Sequence, residues 1–347
     1  MRLYCDLFMD AISEQHYQAE MAGLHYNLYA HHAGMTLYTS GLSNNQELLL
    51  LTLLDNMLSI DFNLVRFKEI KRQLIKHWQN SDSSKPINQL FSLLNSKLMP
   101  DTASSTELAH ILESVDFETF VKFQETLFAE LYTDVLIYGN WTDSQAKNIN
   151  QKIKEKLQHL NRVNELPRSI TNFSEQGLVS FDKQVNHDDT AAVIYIQSQN
   201  PTQESNHMLN NAEQAYFILV SQILAPFSFN YLRAQKQLGY MAGSGYMPLC
   251  NVPGLVVYVQ SHDYSNDELI MHIKQCLSLF TAEIEQMPVE EFLLHKEAVI
   301  HQYNETPNNM AQKSQQLWVA IGNKDLLFDQ NQQIASIIKH IELDDVI

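Results

Sequence analysis

Cysteine is scarce in this 347-residue chain: Cys5, Cys250 and Cys276 are all there is. Their odd number and wide spacing exclude a disulfide framework and a Cys-x-x-Cys metal pair, leaving them as buried free thiols. Cations are also short, with 23 Lys and Arg against 40 Asp and Glu, for a formal charge of −17. Phosphate neutralisation needs clustered Lys and Arg, so nucleic acid is a poor partner for such a chain, and anionic lipid is too. Long apolar runs are missing. The longest, Leu48 to Leu54 with Thr52 inside, is too short to span a bilayer. Asp6 and Asp10 interrupt the stretch that a signal peptide would keep apolar. No membrane association is therefore expected. What is present suffices for packed cores: 45% hydrophobic and 10% aromatic residues exclude a largely disordered chain. The length itself suggests two domains.

Apolar spacing organises the chain. Residues 3–28 read as one long helix, with Tyr4, Leu7, Phe8, Ala11 and Ile12 at helical intervals. A short strand follows at 35–40, then helices at 46–58, 62–79, 87–98, 105–113 and 117–131. Val135 to Tyr138 is a continuous apolar run, the pattern of a buried strand. Thr142-x-x-Gln145 is a capping-box pattern that opens a helix to about Leu160. Residues 161–176, with Pro167, Ser169 and Ser174 and little periodicity, read as a linker. Beyond it, strands are expected at 178–184, 190–198, 240–248 and 254–261. Helices are expected at 210–224, 227–237, 266–285, 289–304 and 308–321, with a last one from about 331.

Strand pairs followed by helices predict an α+β fold of two domains, each a mainly antiparallel sheet packed against helices. A faint internal repeat supports two copies of one domain. Ser43-Asn44-Asn45-Gln46-Glu47-Leu48 resembles Ser265-Asn266-Asp267-Glu268-Leu269, and each opens a helix, a break and a second helix. The predicted division is 1–165 and 166–347.

Motifs for independent catalysis are missing. There is no His-Glu-x-x-His, no inverted His-x-x-Glu-His, no nucleophile elbow, no P-loop and no dinucleotide glycine fingerprint. His16 and Glu20 share a helical face, with His25, His31 and His32 nearby. Catalytic zinc needs three protein ligands plus water, and these ragged spacings suit solvent-facing or core histidines rather than ligands, so no metal site is expected. One segment stands out, Phe229-Asn230-Tyr231-Leu232-Arg233-Ala234-Gln235-Lys236-Gln237-Leu238-Gly239-Tyr240. It reads as a helix stopped at Gly239 in a positive-φ position, followed by a strand from Tyr240. On spacing alone Arg233 is either a surface charge or a binding group. Tyr240 is either a half-buried sheet aromatic or a functional hydroxyl.

This segment resembles a signature of the insulinase/pitrilysin zinc metallopeptidases, carried by Phe229-Asn230-x-Leu232-Arg233-x-x-x-Gln237-Leu238-Gly239-Tyr240. Glu20-x-Ala22-Gly23-Leu24-x-Tyr26, Tyr138-Gly139-Asn140-x-Thr142 and Gly254-Leu255 through Gln260-Ser261 resemble the same family in the same order. The resemblance implies the non-catalytic C-terminal half of a peptidase. Residues 1–165 would be its third domain, without the first strands, and 166–347 its fourth domain, cut before its end. It implies a chamber closed around a peptide substrate, with the chain's own N-terminal catalytic half as partner. Zinc would belong to that half, with no cofactor in this chain. By the same resemblance, Tyr240 stabilises the oxyanion, Arg233 holds a substrate carbonyl, and Gln237 and Gly239 fix the junction. A soluble location in bacterial cytoplasm or periplasm is implied, and the chain alone would be inactive. The same fold also serves as a non-catalytic structural or peptide-binding module, which is the alternative.

Overall fold

The computed structural model describes residues 1–81, 84–166, 168–173, 176–199 and 207–347. Pro167 and Ser174 of the expected linker lie outside them. In chain order the elements are α1 (Arg2–Ser13), α2 (Tyr17–Met21), β1 (His25–His31), β2 (Gly34–Ser40), α3 (Ser43–Ser59), α4 (Leu64–Ser81), α5 (Pro86–Leu98), α6 (Ser105–Ser114) and α7 (Phe117–Leu127). Then come β3 (Glu130–Leu131), α8 (Asp143–Lys156), β4 (Asn161–Arg162), β5 (Thr190–Gln197) and α9 (His207–Phe229). A π-helical turn over Asn230–Gln235 is followed by β6 (Met241–Tyr246), β7 (Gly254–Ser261), α10 (Asn266–Glu285), α11 (Val289–Asn304), α12 (Met310–Gly322) and α13 (Gln330–His340). The fold is α+β with small, mainly antiparallel sheets.

The chain divides into two compact units. The first comprises Met1–Ser81 and Ser105–Arg168, the second Asp82–Ser104 and Ser169–Ile347. Helix α5 lies within the first half of the sequence and packs in the second unit. There Phe91 meets Tyr258 edge-on at 5.7 Å, and the Thr171 amide donates to the Leu98 carbonyl.

In the first unit, β1 and β2 form an antiparallel hairpin, and β3 pairs with β4 in parallel. The core gathers Tyr4, Phe8 and Ile12 of α1 with Leu53, Phe67, Ile70 and Phe120. The Tyr4 hydroxyl, which burial would otherwise leave unsatisfied, donates to the Met57 carbonyl at 2.7 Å. Three expectations fail here. The expected helix over 3–28 is broken. Gly23 (φ 79°) stops α2, and from His25 the buried positions Tyr26 and Leu28 alternate with period two, which suits β1. Helix α7 ends at Leu127, short of residue 131, because Glu130 and Leu131 pair with Asn161 and Arg162. Val135–Tyr138 is not a buried strand. It joins no ladder among the described residues, and Val135 and Tyr138 are each 40% exposed. Helix α8 does open with the Thr142/Gln145 capping box.

In the second unit the sheet order is β5-β7-β6, all antiparallel. Strand β7, Gly-Leu-Val-Val-Tyr-Val-Gln-Ser, is central and buried along nearly its whole length, so its apolar run serves both faces. The core joins Ala215, Leu219, Ile223 and Leu224 of α9 to Val257 and Val259, and to Leu269, Ile273 and Cys276 of α10. Helix α10 opens with the Ser265/Glu268 capping box. Residues 178–184 form no strand, and Leu178 is exposed. The expected helices 210–224 and 227–237 are one: α9 passes through Pro226 and continues into the π turn. The stretch Asn211–Gln235 is long and apolar enough to cross a membrane, and half of an 18-residue window within it is buried in the protein. Cys5 and Cys276 are buried thiols, whereas Cys250 is only partly covered.

Candidate functional site

The candidate site is the junction where α9 gives way to β6, all within the second unit. Two leucines anchor it: Leu232 and Leu238 are 0% and 1% exposed. Around Leu232 the helix widens into the π turn, a departure from α geometry that is often found at functional sites. The Lys236 amide reaches back five residues to the Tyr231 carbonyl (3.0 Å), and the Leu238 amide reaches back to the Leu232 carbonyl (3.1 Å). These bonds close the helix end and satisfy carbonyls that would otherwise lack partners.

The residue that turns the chain is Gln237, at φ 53°. This corrects the expectation that Gly239 holds the positive φ. Gly239 has a different reason to be glycine. A Cβ placed there would lie 2.0 Å from the Gln260 carbonyl oxygen of β7, so the backbone of the junction rests directly on the central strand.

On this frame two side chains face outward. The Arg233 guanidinium lies over the Phe229 ring, 5.2 Å from its centroid, one helical turn earlier. Lys236 lies likewise over Tyr231 at 5.5 Å. Tyr240 immediately precedes β6 and is 90% exposed. A half-buried sheet aromatic would bury its ring, and Tyr240 does not, so the core gains almost nothing from it. Arg233 presents a planar fork of N–H donors, and Tyr240 presents a phenolic O–H. Together they can donate to the carbonyl oxygens of an extended peptide and favour negative charge building on one of them.

Sequence reasoning missed what lies beneath. Gln260 is 7% exposed. Its Oε1 accepts from the Ile87 amide in the first turn of α5 (3.2 Å), and its Nε2 donates to Asp189 Oδ2 (2.7 Å). Asp189 Oδ1 also meets His262 Nδ1 at 3.2 Å. The Gln260 hydrogen bond, followed by that of His262, holds the Asp189 carboxyl below its ordinary range. Asp189 and Gln260 are 71 positions apart, and only the β5–β7 register brings them together. No local pattern signals that.

His16 and His31 each have a partner other than a metal. His16 lies edge-on to Tyr26 and 3.4 Å from the Asn56 amide nitrogen. His31 pairs with the Thr36 hydroxyl at 3.0 Å, with the His32 ring 6.0 Å away. Among the described residues no three His, Cys, Asp or Glu side chains are grouped to hold a metal ion.

Residues 1–111 match the family model described as the middle or third domain of peptidase M16. Residues 219–318 match the one described as PQQ synthase PqqF-like, C-terminal lobe domain 4. Both matched stretches are thus similar to domains of insulinase/pitrilysin-family peptidases. It is 27% identical to the insulin-degrading enzyme of Drosophila melanogaster over 98% of its own length and 34% of that protein's. It is 25% identical to the human insulin-degrading enzyme, again over 34% of the relative. The crystal structure of pitrilysin superposes with a TM-score of 0.80 at 20% identity, covering 99% of this chain and 36% of pitrilysin. The chain thus spans about a third of the length of these peptidases.

Proposed function

We propose that this chain is the non-zinc half of a zinc-dependent endopeptidase of the insulinase/pitrilysin family. It forms one wall of the substrate chamber and supplies Arg233 and Tyr240. The observation that carries the reading is the 90% exposure of Tyr240 beside a junction that is otherwise tightly anchored. A tyrosine that contributes nothing to the core, held at a fixed helix–strand turn, suits a group that acts on something outside the unit. The matches to models of a third and a fourth peptidase domain, in that order, support the same reading. On it, residues 1–165 and 166–347 are homologous domains, and zinc resides in the part of the protein outside these residues.

The roles follow from the groups. Attack on a peptide carbonyl builds negative charge on its oxygen. The Tyr240 O–H donates to that oxygen, and such a donor stabilises the transition state by about 3–4 kcal/mol. Arg233, steadied over Phe229, donates to a neighbouring substrate carbonyl in both ground and transition states. Gln237 and Gly239 fix the turn that presents them. A complementation assay tests the reading. The purified chain alone should give no hydrolysis of an internally quenched peptide, and the remainder of the protein should need the chain for turnover. Hydrolysis by the chain alone would overturn the reading, and full turnover without the chain would favour the alternative of a structural or peptide-binding module.

A further inference from the structure

We propose that Gln260 is a positioning residue for Tyr240, acting through the backbone of Gly239; this rests on the functional reading of Tyr240 given above. Gln260 stands in the central strand, where it faces Ala191 of β5 on one side and Met241 of β6 on the other. Met241 is the residue after Tyr240. The Gln260 carbonyl is also the atom against which Gly239 rests, with no room for a methyl group between them. Residues on both sides of Tyr240 are therefore referenced to Gln260.

The side chain fixes where that reference point sits. The Ile87 amide belongs to the first turn of α5, whose N–H groups have no partner within the helix, and Gln260 Oε1 accepts from it. Gln260 Nε2 is tied to Asp189 just before β5. One buried amide thus holds the end of β7 between a helix start and a strand start, with both its donor and its acceptor in use. Leucine in its place fills similar volume but strands the Ile87 amide, leaves the Asp189 carboxylate with His262 alone, and lets the end of β7 shift. A shift of about 1 Å at a group that must meet a developing charge costs up to about 100-fold in rate.

The test is a double-mutant cycle on the full-length protein, with thermal melts as controls. Gln260→Leu should lower kcat about 10- to 100-fold with KM changed by less than about threefold. On that background Tyr240→Phe should cost far less than it does alone, because a displaced hydroxyl has little left to lose. The pair Gln260→Glu with Asp189→Asn restores a hydrogen bond of reversed direction, while a Glu oxygen still accepts from Ile87. It should recover most of the kcat lost by Gln260→Glu alone. Asp189→Ala releases the same amide from a more exposed position and takes the place of Gln260→Leu if that variant does not fold. If Tyr240→Phe is costly alone but the cycle is additive, Gln260 is merely structural and the inference fails. If Tyr240→Phe is silent alone, the functional reading fails with it.

Discussion

Val135-Leu136-Ile137-Tyr138 and Leu255-Val256-Val257-Tyr258 are nearly the same peptide, four apolar residues ending in tyrosine, and they meet opposite fates. The second is the middle of a three-stranded sheet, with Val257 0% exposed against the α9/α10 layer. The first joins no ladder among the described residues, and its ends are 40% exposed. Composition sets the potential for burial; strand neighbours on both sides realise it. A run whose backbone amides find no ladder keeps its apolar side chains partly in water.

Substitution should separate the two runs most sharply. Val257→Asp places an unpaired carboxylate in the centre of the second core and should cost about 4 kcal/mol or more, enough to unfold that unit. Val135→Asp should change the stability of the isolated chain by no more than about 0.5 kcal/mol. Urea melts of both variants check this, and equal losses would mean that 135–138 is buried after all.

A smaller effect is expected at two glycines beside β7. Gly239→Ala meets the backbone carbonyl of Gln260, which cannot rotate away, and should cost about 1–3 kcal/mol. A Cβ at Gly254 meets the phenol end of Tyr195, a side chain that can give by releasing its hydrogen bond to the Met247 carbonyl. Gly254→Ala should therefore be the milder change, and the same melts would reverse that order if strain at the junction is spread elsewhere.

The smallest effect is in pH. In the first unit, burial foremost, with His32 and Arg168 adding to it, lowers the pKa of His31, and burial followed by Arg168 lowers that of His32. The unfolded chain protonates first, so this contribution to stability falls as pH drops through about 6.5. In the second unit, Asp189 is held down by Gln260 and His262. Its contribution is full above about 4 and is lost only as pH falls below that. Hydrogen exchange resolved by unit should show the first unit loosening between pH 7 and 5.5 while the second holds until the carboxylate range. The reverse order would show that other groups dominate.

The same contrast explains what could be read in advance. Most helices, and strands β2, β5, β6 and β7, were legible because simple periodicity and the Thr142/Gln145 capping pair are local signals. A motif singled out Arg233 and Tyr240, and the structure places both at the exposed helix–strand junction. The α2–β1 break was hidden by alanines that fit a helix as well as a turn. The passage of α9 through Pro226 was hidden because tertiary packing overrode a local breaker. Gly239 was recognised as special, but for a φ that Gln237 adopts instead, since the approach of β7 is not a property of the segment itself. Gln260 and Asp189 were illegible for the same reason: their contact exists only once β5 and β7 pair.

The central claim is that the exposed hydroxyl at the α9–β6 junction serves the reaction rather than the fold. Tyr240→Phe removes that hydroxyl and leaves a ring that packs against almost nothing. Steady-state kinetics of the full-length protein on an internally quenched peptide should show kcat down by about 100- to 1000-fold, with KM and the melting temperature little changed. A well-folded Phe variant with unchanged kcat would contradict the account.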